Sequence, residues 1–426
     1  MAGFHRYHRL AMTTAPSPAA RVRFHSIVWP LAIAETIVWA AMYYAFPALL
    51  PAWERDLGWS KTELSFAFTL SLVVSASLVP VAGRLIDRGL ARSIFTGGTV
   101  LGAVLLALLS LVTEPWQFVC IWIGLGVAMS GTLYEACFAV LVRSTGDRAR
   151  RAITIVSVVA GLAGTVAFPS AHLLAGAFGW RGAVLVFAAV VGTVAVPLVW
   201  SACRRAEAQA AMHAPVPSAS AARALAVVRT PAFWLLAIAI FLAALDHGML
   251  ISHVLPILDD RGIDAGLAVV AASFIGPMQV AGRLALIAAD RFAGTLMAST
   301  GCFAMMAIAG LCLLDAGAAP ALLVGFVVLQ GAGIGVASVM RPVVTAELLG
   351  RRNFGVVSGL VGLMHMSGYA LGPSVSALVW SSGGYDRVIL LAIAAAVVAI
   401  AALLAAWRGG GPGRARGSQS AGAPTD

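Results

Sequence analysis

The stretch 267-LAVVAASFIGPMQVAGRLALIAA-289 decides how the chain is read, because it is oily throughout and carries a single guanidinium, Arg283. Roughly 20 apolar residues, each rising about 1.5 Å, cross a hydrocarbon core about 30 Å thick. Arg283 lies about two helical turns in from Asp290 and Arg291, too deep to be a flanking anchor. An arginine facing lipid at that depth costs at least about 2.5–3.5 kcal/mol, so this one is expected to face protein or a water-filled cavity. Gln279, one turn earlier on the same face, is placed to brace it. Guanidinium matches a carboxylate bidentately and stays charged when buried. Arg283 therefore reads as the anion-binding residue of a membrane transporter. The competing reading is a structural ion pair with the seventh or eleventh apolar run.

The rest of the composition belongs with that stretch. Hydrophobic residues make up 60% of the 426 and charged ones 11%, against roughly 45–50% and 25% in soluble domains. The apolar runs are long and do not alternate, which excludes a β-barrel and predicts an all-α membrane protein. The net charge of +10 is spread over short loops, so it does not mark a nucleic-acid surface. Five cysteines lie in or beside the apolar runs without CxxC spacing, and neither a disulfide framework nor a zinc site follows. No P-loop pattern and no nucleophile–base set is present, so neither an ATP-driven pump nor an enzyme is expected, and no cofactor. The first 26 residues are basic and polar, unlike a cleavable signal peptide, and Met12 offers an alternative start to Met1.

Apolar runs between charged or Pro/Gly-rich breaks give twelve spans: 27–50, 62–82, 93–112, 116–142, 152–177 and 183–201, then 233–258, 267–289, 294–314, 320–349, 355–381 and 388–407. They predict two six-helix bundles, 27–201 and 233–407, with a linker at 202–232 and tails at 1–26 and 408–426. Of 28 lysines and arginines, 21 fall on one side of these spans, including both tails and the linker. Five (Arg55, Lys61, Arg181, Arg261 and Arg387) fall on the other. By the positive-inside rule the rich side is cytoplasmic, which predicts a multi-pass protein of a bacterial-type cytoplasmic membrane with both termini inside. Only Arg283 and Arg341 remain in the membrane. The halves echo each other: Gly83–Arg88 has a degraded counterpart ending in Asp290–Arg291, and laying Gly331–Pro342 over Gly124–Glu135 sets Arg341 opposite Tyr134. A binding site between two related repeats is the arrangement such symmetry predicts.

Gly83, Leu85, Asp87, Arg88 and Arg92, with the six-plus-six layout, resemble the major facilitator superfamily and its loop between the second and third helices. The resemblance covers essentially the whole chain. It implies the major facilitator fold of two pseudo-symmetric bundles, and a gating loop at Gly83, Asp87, Arg88 and Arg92 with a partner at Asp290 and Arg291. A narrower likeness is to the monocarboxylate and oxalate–formate porter branch. It is carried by Tyr43-Tyr-Ala-Phe-Pro47 leading to Asp56-Leu-Gly-Trp-Ser60, and by His253-Val-Leu-Pro-Ile-Leu-Asp-Asp-Arg-Gly262. Arg283 falls where that branch carries a substrate-binding arginine, and His365 where oxalate–formate porters carry a second basic residue. The branch has an Asp where this chain has Gln279. The drug-antiporter pattern of the fifth helix is poorly matched at Gly161–Gly176.

The remaining polar residues within spans each carry two readings. Arg341 is either a second anion contact or a partner for Glu135. Asp246, beside His247, is either a proton carrier or a fixed counter-charge for Arg283. Glu135 is a second coupling candidate beside Tyr134, whereas Glu35 sits near enough to the span end to snorkel. His253 precedes Pro256 at a helix break. Tyr43, Tyr44, Tyr134 and Gln330 read as cavity liners or as packing. The expected function is secondary transport of a small organic anion, a monocarboxylate, by alternating access, with proton coupling or anion exchange. The expected partners are that carboxylate and the bilayer, and the chain is expected to be a monomer. The rival expectation is a proton-coupled exporter of drugs, arsenicals or other toxicants using Asp246 or Glu135.

Overall fold

Inside hydrocarbon a backbone N–H has no water to bond, so a spanning segment must satisfy itself along its own helix. In this computed structural model the described residues are 18–210, 227–289, 294–350 and 354–410, and the regular elements among them are all helical. Nine helical runs among these residues are long and apolar enough to cross a membrane. Three of them turn back in the middle, at Gly89 (φ 93°), Gly179 (φ 69°) and Gly384 (φ 77°). Only glycine adopts these left-handed angles without a Cβ clash, and the three bends raise nine runs to twelve spans.

The spans are α1 Phe24–Leu57, α2 Lys61–Leu85, α3 Ala91–Leu109, α4 Pro115–Thr145, α5 149–178, α6 180–210, α7 Pro231–Ser252, α8 Ala265–Ala289, α9 Thr295–Leu314, α10 Pro320–Leu349, α11 354–382 and α12 385–410. Twelve are expected from the sequence and twelve are observed. The expected termini, most of the linker, and Asp290 and Arg291 lie outside the described residues. Proline opens α4, α7 and α10, where its missing N–H costs nothing. Ser60 caps α2: its N–H and hydroxyl donate to the Glu63 carboxylate at 2.9 and 2.8 Å, and the Glu63 N–H returns a bond at 3.2 Å.

One apolar core fills the first six helices, centred on Trp53, Trp122, Phe46 and Phe68. Two others fill the last six, one around Phe326 and Ile257, the other around Met306 and Val361. Leu111, Leu173, Phe178 and Ile287 are more than 65% exposed, which suits a lipid-facing rim rather than a water-facing one. The two sets of helices are fastened to each other at the end that carries the α1–α2 turn. There Lys61 lies 4.3 Å over the Trp380 ring, Ser65 Oγ is 3.0 Å from His253 Nε2, and the Ser374 hydroxyl donates to Thr69 Oγ1 at 2.8 Å. His253 does sit at a helix break, and its other nitrogen, Nδ1, meets the Tyr385 hydroxyl at 3.2 Å. Further along the seam Thr165 donates to the Ser273 carbonyl at 2.8 Å.

Small residues fix where α8 stands. A Cβ on Gly335 of α10 would come within 2.2 Å of the Gln279 carbonyl oxygen, and one on Gly282 of α8 within 2.6 Å of that of Ala332. The two backbones therefore touch, as small residues permit between membrane helices. Gly335→Ala is expected to lower the melting midpoint in detergent by several degrees, since overpacking costs about 1–3 kcal/mol. Gly301→Ala, whose Cβ meets nothing within 4 Å, should leave the midpoint unchanged or raise it. Equal midpoints for both variants would contradict this close approach.

Candidate functional site

The contact of α8 with α10 leaves Arg283 half-buried at the seam between the two sets of helices. Its Nη1 donates to the Ser157 carbonyl of α5 at 3.1 Å, and its Nε donates to the Ser338 hydroxyl of α10 at 3.2 Å. Among the described residues no carboxylate lies within 4.0 Å of it. The guanidinium thus spans both halves, points away from lipid, and keeps donors that neither partner occupies. Gln279, expected to brace it, instead faces the Tyr44 hydroxyl of α1. A glutamine amide one turn away reaches a different wall once the opposite half is in place.

The expected counter-charges are engaged elsewhere. Asp246 is fully buried, and its Oδ2 accepts from Gln330 Nε2 at 2.9 Å while Oδ1 has no partner. Asp246 is therefore no fixed partner for Arg283. The buried His247 stands beside it, with Nδ1 3.5 Å from the same Gln330 nitrogen. Glu135 and Arg341 are within electrostatic reach of each other across the seam, yet they form no ion pair within 4.0 Å. Arg341 and His365 together edge a small, largely apolar cavity of about 30 Å³ among α7, α9, α10, α11 and α12. Glu35 does not snorkel: it is fully buried, with Cys137 and Trp39 beside its carboxyl group.

Aromatic rings complete the site. Residues 39–44 of α1 form a wide π-helical turn, which brings Trp39 and Tyr44, five apart, toward one side. Tyr43, open to reading as a liner or as packing, is buried, with its ring 5.4 Å from Phe68 and 6.5 Å from Tyr369 of α11. Tyr134 of α4, half-buried, lies 4.8 Å from Trp39. Tyr369 stands 5.0 Å from His365 and 5.5 Å from His247. Tyr44, Tyr134 and Tyr369 are all near enough to Arg283 to feel its charge. Trp39, Ser157, Ser338 and Tyr369 are site residues that the sequence reading misses. The only signal for two of them is helical spacing, Trp39 four before Tyr43 and Tyr369 four after His365.

The loop that resembles a gating element is held from the side. Arg143 of α4 donates through Nη1 to the carbonyl oxygens of Ile86, at 2.7 Å, and of Asp87. The Arg92 N–H donates to Glu207 of α6 at 2.8 Å. A Cβ on Gly83 would meet nothing within 4 Å, so packing does not demand glycine there.

The family model described as Major Facilitator Superfamily matches residues 31–313. The chain belongs to that superfamily. Among solved structures it is similar to the nucleoside transporter NupG, with a TM-score of 0.72 and 14% identity over 90% of this chain and 99% of that one. It is also similar to a bacterial homologue of the human lysosomal transporter Spinster in an inward-facing and occupied conformation. That match has a TM-score of 0.70 and 14% identity over 92% of this chain and 98% of the other. At 14% identity these likenesses speak for the fold. A curated relative, an uncharacterized 38 kDa protein in the 23S RNA operon of Thermoproteus tenax, is 31% identical over 155 residues. That match covers 36% of this chain and 40% of the relative. The protein is a multi-pass secondary transporter of the superfamily, not an enzyme.

Hydrogen bonds from a charged donor contribute about 1.5–3 kcal/mol, so Arg143→Ala is expected to loosen the α2–α3 turn. Amide hydrogen exchange over residues 86–91 should quicken by at least tenfold, while Arg88→Ala should leave it within twofold. Unchanged exchange in the Arg143 variant would remove that residue from the loop.

Proposed function

We propose that this superfamily member carries a small organic anion, a monocarboxylate, which binds Arg283 at the seam. The observation that carries this reading is the guanidinium itself: deep, shared between both halves, half-accessible, and without a carboxylate partner among the described residues. A buried cation in that state is stabilised by an incoming anion. A substrate held between two bundles can also be released by their relative motion. The bundles at 27–201 and 233–407 are the moving bodies.

The arginine bias puts the termini and the linker in the cytoplasm. On that orientation the fastened end, with Lys61–Trp380 and Ser65–His253, faces outward, and the site opens to the cytoplasm. The membrane is then a bacterial-type cytoplasmic membrane. Asp246, whose Oδ1 is buried without a partner, is the proton carrier in this reading, coupled to the anion through the Gln330 and His247 cluster beside Tyr369. Arg341, His365 and Glu135 line the path on the cytoplasmic side of Arg283. Resemblance to the monocarboxylate and oxalate–formate branch at Arg283 and His365 supports the anion class.

Truncating one side of a buried charge pair costs about 2–5 kcal/mol, so Arg283→Ala is expected to weaken uptake of labelled lactate into proteoliposomes by at least about 30-fold. Ser338→Ala, which removes one neutral partner of that guanidinium, should weaken it only several-fold. Undiminished uptake in the Arg283 variant, with the protein folded, would refute the anion role. Asp246→Asn should retain exchange of labelled for unlabelled anion while losing acceleration by an inward proton gradient. Retained acceleration would remove Asp246 from coupling. The export of toxicants remains the rival reading, and it requires resistance in cells that depends on Asp246 with no carboxylate flux.

A further inference from the structure

We propose that the anion bound at Arg283 bears a flat, unsaturated ring, an aromatic carboxylate, and that Trp39, Tyr44, Tyr134 and Tyr369 form the wall against which that ring lies. This rests on the anion role of Arg283 and narrows its substrate class. Three facts carry it. Rings from both halves converge: Trp39 lies 5.1 Å from Tyr43 and 4.8 Å from Tyr134, and Tyr43 lies 6.5 Å from Tyr369. The four wall rings are half-buried in the middle of their helices, whereas Tyr43 behind them is 3% exposed, so each wall ring keeps part of its surface outside the core it packs against.

The third fact concerns hydroxyls. Those of Tyr134 and Tyr369 have no hydrogen-bond partner among the described residues, yet they are not sealed in. Phenols at that depth face water or a ligand, and as donors they suit the oxygens of an anion lodged beside Arg283. A small aliphatic acid fills the guanidinium and leaves the rings idle. A planar ring also meets them edge-to-face or offset, the arrangements that aromatic quadrupoles favour.

The test compares benzoate with cyclohexanecarboxylate, equal in charge and similar in size, and benzamide supplies the uncharged ring. Binding is measured by thermal shift of the purified full-length protein and by competition with labelled benzoate uptake in proteoliposomes. Wild type is expected to bind benzoate about 2- to 12-fold more tightly than cyclohexanecarboxylate. Trp39→Leu should bring that ratio close to one, with little change for cyclohexanecarboxylate. If the Trp39 variant does not fold, Tyr134→Leu and the wild-type ratio decide. Equal binding of the two acids by wild type overturns the proposal. If both responses are also lost in Arg283→Ala, the anion role survives without it. Benzamide binding as tightly as benzoate, unaffected by Arg283→Ala, overturns the anion role and with it the aromatic carboxylate.

Discussion

Arg283 sets a positive charge in the middle of a stretch that is otherwise apolar. That constraint orders much of what surrounds it. The charge cannot face lipid, so α8 turns it toward the seam, and the backbone contact of α8 with α10 at Gly282 and Gly335 holds it there. The partners it finds, a serine carbonyl and a serine hydroxyl, are neutral dipoles. They satisfy part of its hydrogen-bonding capacity without cancelling its charge. A carboxylate at the same place would make a closed ion pair; among the described residues none lies within 4.0 Å.

Alternating access asks for two rigid bodies and a seam that breaks cleanly. The apolar cores lie almost entirely within one half or the other, as two such bodies require. The seam contacts are of a different kind: single hydroxyl pairs, a histidine bridge and a lysine over an indole. Each contributes about 1 kcal/mol net. Such contacts are weak enough to exchange for others without disturbing the cores.

The number and limits of the spans were legible because hydrocarbon thickness imposes a length that a window of about 20 residues reports. The depth of Arg283, Arg341, Asp246 and Glu135 was legible for the same reason. What each of them meets was not. Gln279 lies one turn from Arg283 in sequence yet faces Tyr44 of α1. The tyrosine pair does not by itself tell which ring packs: Tyr43 is buried, and a wide turn in α1 brings Tyr44 to the seam. Asp246, open to reading as a counter-charge, is held by Gln330, 84 residues away.

How many times this chain crosses, and which charges travel inside, follow from local composition, because partition between water and oil depends on it. The sequence also announced a family through five residues of one loop. The meeting of Arg283 with α5, the approach of rings from α1, α4 and α11, and the contacts that hold the two halves together at one end come from packing in three dimensions. Each of those depends on groups from separate helices arriving at one point, as with Ser157 and Arg283, 126 residues apart. Packing of whole bundles fixes such meetings, and no local pattern encodes them.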